Sequence, residues 1–151
     1  LFRSAELVLE TAMLIDRDQL EQWLGCFADE CSYTVMPREN RERNLPVALI
    51  GCPSRAVLTD RITVLRQASK YNPHYDRHIL GPTQILSADD SGITAETNFT
   101  IIQTTLEGTS KLFVAGCYED RIVFKSGAAK LKDRVVLLDT FAVPNLIATP
   151  L

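Results

Sequence analysis

Both histidines of this 151-residue chain, His74 and His78, lie in the stretch YNPHYDRHILG at 71–81, with Asp76 midway between them. Two imidazoles and a carboxylate are the donor set of a mononuclear non-haem iron site. On a strand, positions 74, 76 and 78 share one face; on a helix, 74 and 78 lie one turn apart. Residues two apart on a strand stand roughly 6.5–7 Å from one another, which is long for three ligands converging on one ion. Pro73 opens the segment, and Arg77 competes for Asp76. The segment is therefore expected to place His78 in a sheet as a hydrogen-bonded residue, with Asp76 and Arg77 serving nearby contacts.

A second set of groups suits general acid/base work in a pocket: Asp16, Asp60, His78 and Asp139 each have apolar neighbours in sequence. The competing expectation is that these carboxylates cap helices or pair with Arg17, Arg61 and Arg134. Nucleophilic and phosphate chemistry find no motif, since neither a G-x-S-x-G elbow nor a glycine-rich phosphate loop is present. The four cysteines, Cys26, Cys31, Cys52 and Cys117, form no C-x-x-C pair, and the C-x4-C of Cys26 and Cys31 has no second pair. They are expected to be buried, reduced thiols of a cytoplasmic protein.

The elements that must position these groups follow from composition and pattern. At 46% apolar and 23% charged, the sequence is expected to form one domain spanning 1–151. A chain of this size buries roughly 70% of its unfolded surface without needing a disulfide or metal. A net charge of −3 leaves no basic face for nucleic acid. No apolar run approaches the roughly 20 residues of a membrane span.

Apolar residues at helical spacing from Leu1 to Ile15 predict a first helix, and DQLEQWLGCF a second with Asp18 as its N-cap. CSYTVM at 31–36 reads as a strand stopped by Pro37, and the polar PRENRERN at 37–44 as a loop facing solvent or a partner. A helix capped by Ser54 follows, with Val57, Leu58, Ile62 and Leu65 as its buried stripe. From Arg77 the period shifts to two in RHILGPTQILSA, ITAETNFTIIQTTL, KLFVAGCYEDRIVF and AKLKDRVVLLDTFAV, separated by turns at DDSG, EGTS and KSG. In the third run, Phe113, Ala115 and Cys117 alternate with Leu112, Val114 and Gly116, so both faces are largely apolar. The front helices can cover one face and a partner the other. The expectation is an α+β cone, with helices packed into a strongly curved antiparallel sheet.

Several segments together resemble the small (beta) subunit of Rieske-type aromatic-ring-hydroxylating dioxygenases. They are LIDRDQLEQWLGCFADECSYTVMPREN at 14–40, LTDRI at 58–62, YDRHILG at 75–81, GCYED at 116–120 and KLKDRVVLLD at 130–139, with the apolar tail to Pro150 and Leu151. The PREN and RHILG segments look most like small subunits of salicylate-hydroxylating and terephthalate-dihydroxylating members. The resemblance implies a cystatin-like or nuclear-transport-factor-like cone. It also implies a non-catalytic role, assembled with a large (alpha) subunit and other copies of itself as three large and three small chains. The Rieske [2Fe–2S] cluster and the mononuclear iron would then lie in the large subunit, and His74 and His78 receive no ligand role. Residue arithmetic agrees. A Rieske centre takes two cysteines and two histidines, and a facial-triad iron two further histidines, whereas this chain has two in all.

The residues expected at subunit interfaces are Arg38, Asn40, Arg77, His78, Tyr118 and Asp120, from motif position and from the standing of arginine and tyrosine as anchors. Two rival readings are a free-standing isomerase or dehydratase using Asp16 or His78, and a small-ligand-binding module using the pocket between helices and sheet.

Overall fold

The computed structural model describes residues 2–68, 72–140 and 147–151. Helix α1, Phe2–Asp16, buries Leu7, Val8, Thr11, Ala12 and Ile15 along one stripe. Helix α2, Leu20–Gly25, buries Leu20, Trp23 and Leu24. Asp18 is not its cap. It takes a left-handed φ of 56° in the turn between the helices, and Gln19 precedes α2 without a side-chain cap. The carboxylate of Asp18 instead accepts from Arg66 at 2.7 Å.

Strand β1, Phe27–Pro37, begins four residues before CSYTVM. The polar 37–44 stretch is not a plain loop, because α3, Arg38–Glu42, makes one short helical turn there. It has no buried face, so no apolar period marks it; a Glu39–Arg43 pair at i,i+4 supports it instead. Strand β2, Ile50–Cys52, pairs antiparallel with β1. Helix α4, Arg55–Gln67, starts where Ser54 accepts from the Val57 amide, and it buries Leu58, Ile62 and Leu65 while Val57 stays exposed.

The back of the chain forms β3, His74–Leu80; β4, Gln84–Asp89; β5, Gly92–Thr105; β6, Ser110–Lys125; and β7, Ala128–Leu138. The run RHILGPTQILSA splits at 81–83, because Pro82 has no amide to donate to a ladder. Its two halves flank different ends of β5. The proposed continuation of the last strand to Val143 falls partly outside the described residues, as do Leu1 and Tyr71.

The strand order is β2-β1-β7-β6-β5-β3, with β4 also on β5. All pairs are antiparallel except β1 with β7, which runs parallel from Ser32↔Asp133 to Pro37↔Leu138. A bulge between Ile101 and Ile102 shifts the register of β6, so Phe113 and Val114 both join the core instead of alternating. Gly116 marks a close approach of β6 and β7: a Cβ there would stand 2.0 Å from the Leu137 carbonyl oxygen. Ser126 and Gly127, both at positive φ, close the two-residue β6–β7 hairpin.

The helices lie against the inner face and form one core with it, centred on Trp23, Tyr33, Tyr118, Ile122, Leu131 and Val136. This is the α+β cone expected from the sequence. Among the described residues no helix is long and apolar enough to cross a membrane.

Candidate functional site

The alternation of β3 decides what the HYDRH segment does. His74, Asp76 and His78 face inward, while Tyr75, Arg77 and Ile79 face outward. The three inward groups each have their own partners. The ring of His78 meets Asp16 at 2.6 Å between Nδ1 and Oδ1, and the His78 amide donates to both Asp16 oxygens at 3.0 and 3.1 Å. Asp76 accepts from Gln103 and from Thr149, each at 3.2 Å, and lies 3.4 Å from His74 Nε2. The other ring nitrogen of His74 bonds to the Asn72 carbonyl at 2.7 Å. Among the described residues no three His, Cys, Asp or Glu side chains gather as a metal would require.

Asp16 is the last residue of α1, where the helix dipole disfavours a carboxylate. The amide and ring of His78 offset that, and Arg77 adds a cation 3.9 Å away. The arrangement fastens the end of α1 to β3. A ring donating from Nδ1 leaves Nε2 as its other polar atom, and this atom is buried without a partner among the described residues.

The pair has the constitution of an acid/base couple, but its side chains are only 1% and 7% exposed. Two open clefts lie elsewhere. One of about 610 Å³ runs between α1, α2 and the β6–β7 hairpin, and one of about 350 Å³ lies between α1 and α2; neither is lined by Asp16 or His78. The other two carboxylates are not brought in. Asp60 is exposed on α4, and Asp139 pairs with Arg38 at the surface.

A second polar centre lies deeper. Arg134 of β7 is fully buried and makes two 2.8 Å bonds to Asp120 of β6, while its remaining terminal nitrogen donates to Thr11 of α1 at 3.0 Å. Its guanidinium lies 4.3 Å from the centre of the Tyr118 ring, which stacks on Phe99 at 4.2 Å. Burial works against the charge on Arg134, but Asp120 outweighs it and holds the pKa above its ordinary value. Burial pushes the phenol of Tyr118 upward, with Arg134 opposing.

The six residues expected at interfaces therefore divide. Arg38, Asn40 and Arg77 lie toward the outside, whereas His78, Tyr118 and Asp120 turn their side chains inward and offer none to a partner. Asn40 holds the chain that follows it, donating to the Val47 carbonyl at 2.8 Å and accepting from the Leu45 amide through its own carbonyl. That chain is LPVAL at 45–49, in which Leu45, Val47 and Leu49 are 46%, 62% and 53% exposed. Sequence reasoning passed over it because an apolar run without helix or strand period looks like core. A second exposed apolar group, Tyr75, Ile79 and Leu112, surrounds Arg77 on the outer sheet face.

A helix-lined cone whose inner polar groups are sealed, and whose apolar surplus lies outside, has the form of an assembling subunit. The profile of the ring hydroxylating beta subunit family matches residues 10–145, and the chain belongs to that family. It is 35% identical over 137 residues to the small subunit of anthranilate 1,2-dioxygenase from Burkholderia cepacia, covering 91% of this chain and 85% of that one. It is 34% identical over 140 residues to a beta subunit of the terminal oxygenase component of terephthalate 1,2-dioxygenase from Comamonas, covering 93% and 91%. A crystal structure of an aromatic-ring-hydroxylating dioxygenase beta subunit from Novosphingobium aromaticivorans superposes with a TM-score of 0.89 at 34% identity, over 99% of this chain and 96% of that one. Family membership disfavours the free-standing isomerase, dehydratase and ligand-module readings.

Proposed function

We propose that this chain is the non-catalytic, assembling subunit of a cytoplasmic aromatic-ring hydroxylase. It docks on a large subunit that carries a Rieske cluster and a mononuclear iron, in a complex of three large and three small chains. Family membership supports the association. The placement of iron in the partner is supported by a chain with only two histidines, each already bonded to its own protein neighbours.

The observation that carries the docking claim is the 45–49 run. An apolar segment left in water is expected to collapse or disorder, yet here Asn40 and Val35 hold it by three hydrogen bonds of 2.8 Å, one from the Asn40 side chain and two between backbone groups. Held rigid beside the charged α3, it has the form of an apolar anchor with a polar rim. Arg38 stands on that rim, paired with Asp139. The outer face of β3, with Arg77 between Tyr75 and Ile79, is the second contact surface. His78, Tyr118 and Asp120 serve the assembly from within, by fixing the strands that present these surfaces.

The test is to tag the chain, recover it from its native host and weigh what accompanies it. A larger, iron-containing partner is expected, and recovery of the chain alone would overturn the reading. Arg77→Ala should weaken the complex while the isolated chain keeps its cooperative melt; normal assembly would remove Arg77 from the interface.

A further inference from the structure

Residues 147–151 run into the interior of the cone. Leu151 is 1% exposed and belongs to the main core cluster, with Ile147 and Ala148 packed against it. Three elements fasten this short segment. Tyr33 of β1 accepts the Leu151 amide at 2.9 Å and donates its hydroxyl to the Leu151 carbonyl at 3.2 Å. Arg61 of α4 donates to the Ile147 carbonyl at 3.2 Å, and Thr149 donates to Asp76 of β3.

The surroundings resemble a binding site more than a plain core. Tyr33 lies edge-on to Trp23 and Phe27, with ring centres 5.4 and 6.3 Å away, giving an aromatic wall. Tyr33 and Arg61 both aim donors at carbonyl oxygens of the segment. Nε of Arg61 and Nε1 of Trp23 are further buried donors without partners among the described residues. Buried donors of this kind are costly unless something accepts from them. Burial pushes Tyr33 up to about 12, and the Leu151 bond, Arg134 and Arg61 oppose the rise.

We propose that residues 147–151 are a strap that fills, in cis, an interior site suited to a small aromatic molecule bearing an anionic oxygen, and that closes this site in the unaltered chain. The strap supplies what such a molecule would supply: an apolar body against the aromatic wall and carbonyl oxygens on Tyr33 and Arg61. Leu151 takes up interior space within the main core cluster. The inference concerns the chain by itself, so its failure would appear without any large subunit and leave the subunit reading untouched.

Trp23 is the chain's single tryptophan and reports on the site directly. Deleting 147–151 should leave a chain that melts cooperatively and binds benzoate saturably, one per chain, with a change in Trp23 emission. The unaltered chain should show no saturable response at the same concentrations, and Arg61→Gln within the deleted chain should weaken binding at least tenfold. A cooperatively melting deletion variant that does not bind benzoate would overturn the proposal. So would equal binding by the unaltered chain, or indifference to Arg61→Gln. If the deletion variant lacks a cooperative melt, Leu151→Ala decides. Benzoate should raise the melting midpoint of that variant and not that of the unaltered chain, and no rise would count against the strap.

Discussion

Arg134 and Val47 occupy each other's expected places. The arginine is fully buried in the middle of the sheet, and the valine is 62% exposed on a loop. Both are held firmly, but for different reasons. Around Arg134 all three guanidinium nitrogens and both Asp120 oxygens have partners within the chain, and the cluster joins α1, β6 and β7 through Thr11, Asp120 and Tyr118. Around Val47 the backbone is pinned by Asn40 and Val35, but the apolar side chains are about half exposed or more. The Arg134 ion pair is matched within one chain, and the outer region is the surface proposed for a partner. A polar interior fixes how the elements meet, while an apolar exterior marks what the fold leaves for a partner.

The largest expected effect comes from breaking the inner region. Asp120→Ala should destabilise the chain by about 3–5 kcal/mol, because Arg134 would remain buried and charged without its partner. Replacing both, as Asp120→Leu with Arg134→Met, should cost markedly less than Asp120→Ala alone, since no uncompensated charge is left. Urea unfolding of the three proteins measures this. A double variant as unstable as the single one would show that the ion pair itself, and not the orphaned arginine, dominates.

Alkaline pH tests the same interior more gently. Burial raises Cys26 to about 11, Tyr33 to about 12 and Cys117 to about 12, against ordinary values of 9.0 for the thiols and 10.0 for the phenol. The unfolded chain therefore releases these protons first. Stability from these groups is whole below pH 9 and falls as pH rises through 11 to 12, at up to about 1.4 kcal/mol per pH unit for each group. Chemical unfolding at pH 8, 9, 10 and 10.5 should show a steepening loss, with a shallower slope for Tyr33→Phe. A flat profile would mean that these groups are open to water.

Much of this inner region was legible in the sequence, for physical reasons that differ by residue. The Ser54 cap and the buried Leu58, Ile62 and Leu65 follow from local rules, and the period-two runs gave the long strands. The fastening of α1 to β3 was half visible. Asp16 and His78 were both singled out, but their meeting across 62 positions depends on packing that no local pattern encodes. The sequence offers Arg134 as a partner for carboxylates such as Asp16, Asp60 or Asp139, and its partner in the fold is Asp120 across the β6–β7 ladder. The outer region was the least legible. Composition cannot separate an apolar run that enters the core from one, such as 45–49, that a side-chain hook holds outside it.

Surface ion pairs provide the milder contrast with Arg134. Arg66 makes bonds of 2.7 to 3.1 Å to Asp18 and Glu21, so its geometry rivals that of the buried pair. The carboxylates are about two-thirds exposed, however, and water competes for them. Arg66→Ala should therefore cost about 1 kcal/mol or less, and less still in high salt. A loss comparable to Asp120→Ala would show that bond geometry outweighs burial in this fold.

The smallest expected effect on stability belongs to Val47→Asp, and it bears most directly on the outer region. A side chain that is 62% exposed on a loop can become charged within about 0.5 kcal/mol, because the new carboxylate stays in water. In a docked complex the same carboxylate would be buried against an apolar surface without a partner, and the desolvation penalty would fall on assembly. The isolated variant should therefore melt as the unaltered chain does, while recovery of a larger partner on the tagged chain drops at least tenfold. Asn40→Ala sharpens the point by a different route. It leaves every apolar side chain in place and removes only the hook on the Val47 carbonyl, so weakened assembly would show that the rigidity of 45–49 matters as well as its chemistry. If Val47→Asp destabilised the isolated chain and assembled normally, the valine would be serving this fold and not a partner, and the contrast with Arg134 would collapse.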